Sequence, residues 1–456
     1  MDKTTATLAN YIAALTPDKL PAITVQETKK RLVDAIACGI GGFSSEPAQI
    51  SRRVAAVHSG TPAARVLGTN ATSSMAWATF ANVAAVRYLD FNDTYISKGS
   101  GHPSDMTAAV LAVADGLRAD GKHTLCAIAT AYEVFTALAD QVALRDQGFD
   151  QGVFVVLGSA AGAAQLMGLN VEQTANALAI GVTANVATRQ TRSGELAMWK
   201  GCATAWAAHA GVSAALLAQA GMTGPTAAFE GKDGIFDKVT GKFELAPMGS
   251  ASKQFGIDRT NLKFFPSEYH SQAPCGLALE LRQKVAIADI QSIAVQTYFT
   301  AWSEIGSEPE KWIPKTRETA DHSLPYLLSL AFVDGRIKTD SFTVARMADP
   351  ALKSLMAKIK ISESKAFTAR FPNELVTQID ITTSSGQNIS GTAAYPKGHA
   401  KNPMSNADVE SKFHTLCEDH MPLNQREALL KTLWSLDGAA TIDAVFDLTK
   451  FAARPV

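Results

Sequence analysis

FDQGVFVVLGSAAGAAQLMGL, residues 149–169, decides how the first half of this chain is read. From Gly152 to Gly168 the run is apolar over about the length of a membrane span. Asp150 and Gln151 precede it, Gln165 interrupts it, and no second candidate follows, so it is expected to be a fully buried helix. Gly158 and Gly162, with only small residues between them, would let neighbouring helix backbones come close.

Working outward, alanine-rich stretches with helical periodicity fill the chain to about residue 265: 25–42, 73–89, 106–121, 127–144, 153–167, 171–182 and 203–220. Gly168 and Asn170 read as helix-ending residues. The cluster Gly39-Ile40-Gly41-Gly42 also reads as a helix end, because no strand precedes it and no basic residue follows within the turn, as a nucleotide loop would require. Beyond about residue 267 the pattern changes. Alternating apolar and polar residues at 290–300 and 375–383 predict half-buried strands, and Ser384 to Asn388 predicts a hairpin turn. Helices are expected at 323–333 and 350–359 among these strands, and again at 407–417, 424–436 and 440–448. The expected fold class is therefore mainly α with an inserted α+β lid domain. Residues 1–266 and 397–456 would form a large all-helical domain and 267–396 the smaller α+β insertion, with a site between the two, since clefts favour domain interfaces.

The length of 456 residues itself favours two domains. A hydrophobic share of 46% and a charged share of 19% argue against long disorder. A net charge of −1 provides no overall field for nucleic acid or a membrane surface, so an anionic substrate would have to be held by local cations. The five cysteines, Cys38, Cys126, Cys202, Cys275 and Cys417, lie far apart without a CxxC pair. That spacing fits reduced thiols in a cytoplasmic protein and argues against a zinc ribbon, a disulfide scaffold or an iron–sulfur cluster; no metal is expected. The first fifteen residues read as an amphipathic helix rather than a signal peptide, and the protein is expected to be soluble.

The densest chemistry lies at 90–105, DFNDTYISKGSGHPSD. It holds Asp90, Asp93 and Asp105, Thr94, Lys98, and His102 behind Gly99-Ser100-Gly101. Histidine exchanges protons near neutral pH, and the glycines permit a sharp turn and close approach to a ligand. The plainer alternative is a solvated loop. Arg189 and Arg192 precede Lys200, which opens a long alanine-rich helix; two guanidinium groups and an ammonium near a helix N-terminus suit a carboxylate or phosphate, though they could simply solvate a loop. Burial of Lys200 would lower its pKa. KFFPSEYH at 263–270 straddles the expected domain boundary, where Lys263, Glu268 and His270 would sit on a hinge; taken singly, His270 reads as a structural residue. In ETADHSLPY at 318–326, Ser323 reads as an N-cap with Pro325 in the first turn, Asp321 and His322 as helix-start residues, and Tyr326 as facing either core or cleft.

Together these segments resemble the MmgE/PrpD family, nearest to its 2-methylcitrate dehydratase branch. The resembling pieces are DFNDT at 90–94, HPSD at 102–105, the stretch 149–169, TRSGELAMWKGCA at 191–203, KFFPSEYHSQA at 263–273 and KTRETADHSLPY at 315–326, in the family's order and spanning most of the chain. The resemblance implies a helical domain plus a lid and a homodimer. It also implies no cofactor: unlike aconitase, the family needs no iron–sulfur cluster. In the decarboxylase branch, residues matching Asp90, Thr94, His102, Lys200, Lys263 and Tyr326 line the site. This chain departs from that branch where Asp150-Gln151 and Glu268 stand in place of histidines, and in a longer insertion at 98–101. The departures favour dehydration of a citrate- or 2-methylcitrate-like tricarboxylate. That reaction needs a base beside a carboxylate-bearing carbon, an acid for the departing hydroxyl, and cations for the carboxylates. His102 is the leading acid/base candidate, oriented by Asp90 or Asp93. Lys200, Lys263, Arg189 and Arg192 would clamp carboxylates. Tyr326 and His270 are further proton-transfer candidates, and Asp93, Thr94, Glu268 and Ser323 would contact substrate. Decarboxylation or epimerisation on the same fold passes through similar carbanion-like charge. A non-catalytic carboxylate-binding protein would instead scatter these residues over the surface.

Overall fold

The computed structural model describes residues 1–451, which divide into two compact units. One comprises Met1–Thr191, Gly201–Thr260 and the chain from Ser405; the other comprises Arg192–Lys200 and Asn261–Met404. The second unit thus runs wider than 267–396, and it includes Arg192–Lys200, which the sequence reading had assigned to the helical domain. Within that unit Lys200 is ion-paired with Asp321, at 3.1 Å.

The first unit is built around the helix Gly152–Leu166, buried continuously from Gly152 to Ala164. A Cβ on Gly158 would meet Met106 Sδ at 2.1 Å and the Ala131 carbonyl at 2.8 Å; one on Gly162 would meet Val110 Cγ2 at 2.7 Å and the Ala127 carbonyl at 3.1 Å. The helices Asp105–Leu117 and Gly121–Ala139 therefore lie directly on its backbone, and the small residues make that approach possible. Gly42 follows the helix Ala22–Gly41, its N–H donating to the Cys38 carbonyl at 2.8 Å. Gly168 takes a left-handed φ of 64° after the core helix. Asn170, expected to end that helix, instead opens the next one, Val171–Ala184, through a capping box with Gln173. Its short side chain reaches the Gln173 N–H, which a C-terminal position would not offer. Among the described residues, one helix, Trp199–Gln219, is long and apolar enough to cross a membrane by length and composition, and 61% of that window is buried within the protein.

In the second unit the alternating segments form a four-stranded sheet. The order is Ile359–Glu363, Ile290–Thr297, Thr377–Thr383, Asn388–Ala393; the first pair is parallel and the others antiparallel. Ile293 faces Ile359 on one side and Ile381 on the other. A register shift between Ile290 and Ser292 explains why both Ile290 and Ile293 are buried although three residues apart, since a bulge re-phases the side chains. The strand expected at 290–300 stops at Thr297, and the helix expected through 359 stops at Met356, because Ile359 begins an edge strand. Helices Gln272–Leu281 and Leu324–Asp334 contribute Leu277, Leu281, Leu327 and Leu330 to the same core as Ile293, Ile379 and Ile381. The last helices, Asn406–Cys417, Leu423–Trp434 and Asp443–Thr449, return to the first unit.

Candidate active site

The 90–105 stretch is no solvated loop. Asp90, Asn92, Asp93, Thr94, Ser104 and Asp105 are all buried. The helix Met75–Tyr88 delivers Arg87, 1% exposed, whose guanidinium forms a hydrogen-bonded ion pair with Asp90 and lies 3.8 Å from Asp105 Oδ2. Asp90 adopts a left-handed φ of 49°, a conformation that Asp tolerates better than most residues, and this reverses the chain after the helix. Asn92 donates through Nδ2 to Ser104 Oγ and Asp105 Oδ1, both at 2.8 Å. Asp93 Oδ1 accepts the Ser104 N–H at 2.9 Å. Burial raises the Asp93 pKa, against the lowering effect of Ser104, Arg31 and Tyr132.

His102 sits at the end of a short ribbon, Tyr95–Ile96 paired with Ser100–Gly101, which Thr94 ties by donating to the Gly101 carbonyl at 3.0 Å. Its Nδ1 lies 2.7 Å from the Asp93 carbonyl oxygen. A carbonyl can only accept, so Nδ1 carries the hydrogen and Nε2 is the basic nitrogen of the neutral ring. Nε2 faces Asp90 Oδ1 at 3.9 Å, close enough to favour an imidazolium once a proton arrives. The His102 backbone N–H donates to Gln151 Oε1 at 2.5 Å.

In the second unit, Asp321 is fully buried and surrounded by basic groups. Lys200 Nζ lies 3.1 Å from its Oδ1, His322 Nδ1 2.6 Å from the same oxygen, and Arg317 Nη1 3.2 Å from Oδ2. Burial pushes the Asp321 pKa up, but Lys200, His322 and Arg317 outweigh it and hold the carboxyl below its usual range. Lys200 is itself buried and also lies 3.2 Å from His322 Nδ1. Nearby in sequence, the His270 N–H donates to Glu268 Oε2 at 2.6 Å, and His270 Nδ1 meets the Tyr298 hydroxyl at 2.5 Å. Burial raises the Tyr298 pKa well above its ordinary value, so it stays a neutral phenol. Lys263 is fully buried. The loop after it is pinned by Gln272 Oε1, which accepts the N–H groups of Phe264 and Phe265, each at 2.9 Å.

The first unit therefore gathers Asp90, Asp93, Thr94 and His102, and the second gathers Lys200 with Asp321 and His322, and Glu268 with His270. Tyr326 is placed otherwise: fully buried in the second unit's core, it donates its hydroxyl to the Ser341 carbonyl at 2.6 Å. Ser323 caps the helix Leu324–Asp334, accepting the Tyr326 N–H at 3.2 Å while its own hydroxyl donates to the Lys311 carbonyl. Arg189 and Arg192 lie half-buried in the turn Arg189–Arg192, where the Arg189 N–H donates to the Gly148 carbonyl at 2.9 Å. Sequence reasoning missed Arg87 and Arg317, noted Gln151 only as a departure from the decarboxylase branch, and gave Asp321 and His322 only a helix-start role. Arg87 had a usable signal: a lone arginine in an otherwise apolar helix must meet a buried counter-charge.

Residues 6–248 match the model of the MmgE/PrpD N-terminal domain, and 265–436 that of the C-terminal domain. The chain is 27% identical to the mitochondrial 2-methylcitrate dehydratase of Yarrowia lipolytica, over 94% of this chain and 86% of that protein. It is 26% identical to the 2-methylcitrate dehydratase of Escherichia coli K12, over 90% and 88%, and 24% identical to the human cis-aconitate decarboxylase, over 99% and 95%. Dehydratases and decarboxylases both cleave a bond to carbon without hydrolysis or oxidation, and the chain is an enzyme of that class, a lyase. With both domain models matched in order along its length, the chain belongs to the MmgE/PrpD family.

Proposed function

We propose that this enzyme is a cofactor-free hydro-lyase that dehydrates a 2-methylcitrate- or citrate-like tricarboxylate. The observation that carries the reading is the tautomer of His102. Its Nδ1–H is committed to the Asp93 carbonyl, which makes Nε2 the base, and Asp90 beside Nε2 stabilises the imidazolium formed when a proton is taken from the carbon next to a carboxylate. The same imidazolium, or His270 with its Tyr298 partner, supplies the proton that leaves with the hydroxyl as water. Lys200 and Lys263 provide positive charge for substrate carboxylates, and Arg189 and Arg192 add to it. The names of the dehydratase relatives support the choice of substrate class. The presence of Asp150 and Gln151, and of Glu268, where the decarboxylase branch would carry histidine supports elimination of water.

A second reading, decarboxylation of a cis-aconitate-like acid, is favoured by the similarity to the human decarboxylase over 99% of this chain. Incubating the purified protein with 2-methylcitrate, citrate and cis-aconitate under proton NMR separates the two. New alkene signals with water loss support the hydro-lyase, whereas loss of carbon dioxide from cis-aconitate supports the second reading. Turnover is expected to survive exhaustive dialysis against a chelator. The reading also takes the enzyme to be a cytoplasmic homodimer, and light scattering at twice the chain mass is the corresponding check on assembly.

A further inference from the structure

We infer that Gln151 is a positioning residue for His102, holding the imidazole in register from the end of the buried core helix. The inference rests on the acid/base role proposed for His102. Gln151 occupies the residue before the helix Gly152–Leu166, but its side chain makes no capping bond to that helix. The amide is 6% exposed and directs Oε1 at the His102 N–H, 2.5 Å away and 49 residues distant in sequence. Its backbone carbonyl, meanwhile, accepts from Phe154 N–H at 2.8 Å and Val155 N–H at 3.1 Å, so the anchor is part of the helix's first turn.

The ribbon carrying His102 is shaped to this contact. A Cβ on Gly101 would lie 2.1 Å from Gln151 Oε1 and 2.7 Å from Phe135 Cζ; one on Gly99 would lie 2.6 Å from the Val142 carbonyl and 2.9 Å from Phe154 Cε2. Only glycine lets the backbone pass so close, which gives the glycines before the histidine a purpose: they bring the His102 N–H to the amide. His102 is then held at two points, N–H to Gln151 and Nδ1–H to the Asp93 carbonyl, and these together set where Nε2 points. A side-chain acceptor supplied by a rigid helix is the kind of support that keeps a catalytic group within a fraction of an ångström of its working position.

The test compares Gln151→Met, which keeps the length and removes the acceptor, with Gln151→Glu, which keeps an acceptor and adds charge. In Gln151→Met, kcat is expected to fall about 10- to 100-fold with KM within about threefold, the signature of a misplaced catalytic group rather than lost substrate contact. Gln151→Glu is expected to recover most of that loss and to move the His102 titration midpoint to higher pH, since a nearby carboxylate favours the imidazolium. Nitrogen-15 NMR of the histidines, with His102 assigned from a His102→Gln variant, reads the ring directly; loss of the single Nδ1–H tautomer in Gln151→Met is the expected result. Unchanged kcat together with an unchanged tautomer in Gln151→Met would overturn the inference. If that variant does not fold, an unmoved His102 midpoint in Gln151→Glu would overturn it instead. If the wild-type enzyme turns over none of the carboxylates, the functional reading fails, and the NMR results still decide the role of Gln151.

Discussion

Around His102 the first unit buries three aspartates, Asp90, Asp93 and Asp105, with Arg87 in contact with two of them; around Asp321 the second unit places Lys200, Arg317 and His322 against one carboxylate. The first cluster is rich in acids and the second in bases. The two buried carboxyls Asp93 and Asp321 accordingly shift in opposite directions: burial raises Asp93, while neighbouring cations lower Asp321 in spite of burial. An acid-rich setting favours a protonated imidazole and suits proton transfer. The second cluster sets Lys200, Arg317 and His322 against one carboxylate and suits the holding of anions. The comparison assigns different tasks to the two regions of one chain, and each can be challenged separately.

The largest effect is expected from His102→Ala. If the acid-rich cluster handles the proton, turnover should fall about 100- to 10,000-fold while the thermal midpoint stays near that of the wild type. A folded variant with near-normal turnover would end the assignment. Next, Asp321→Asn should strand three basic groups in a buried site and cost about 3–5 kcal/mol in urea unfolding. Asp93→Asn, by contrast, keeps an acceptor for the Ser104 N–H and removes a carboxyl whose ionised form is disfavoured, so it should change stability by only about 1 kcal/mol. Equal losses in the two variants would break the contrast.

The same pair predicts opposite pH behaviour. Asp321 has a folded value below its ordinary 3.8, so its stabilisation is present above that value and is lost as pH falls through the folded value. Asp93 has a folded value above 3.8, so the fold favours its protonated form; that contribution is complete below 3.8 and is lost as pH rises through the folded value. Unfolding free energies of the wild type and the two asparagine variants, measured from below pH 3.8 up through the mildly acidic range, should yield difference curves of opposite slope, that of Asp321 lying below 3.8 and that of Asp93 above it. The smallest effect is expected from Tyr326→Phe, which removes only the hydrogen bond to the Ser341 carbonyl: about 1 kcal/mol of stability, with kcat within about twofold. A large loss of turnover there would return Tyr326 to the catalytic groups.

Period and composition were enough to read most of the helical body and the strands Ile290–Thr297 and Thr377–Thr383, because helices and half-buried strands write their burial into every third or second residue. The small-residue spacing at Gly158 and Gly162 likewise foretold a close helix contact, though not its partners, Met106, Ala131, Val110 and Ala127. The edge strand Ile359–Glu363 was read as the end of a helix because five residues carry little periodic signal, and its parallel pairing depends on a distant strand.

The amino-acid sequence by itself determined most element types, the family and the residues rich in site chemistry, since these depend on local propensity and on motif identity. Only the tertiary structure decided which of those residues act on one another. The His102 tautomer depends on a carbonyl nine residues away and its anchor on an amide 49 residues away, while the charge state of Asp321 depends on a lysine 121 residues distant. Hydrogen bonds and buried charges are settled by distance and desolvation at the ångström scale, and separation along a chain does not encode either.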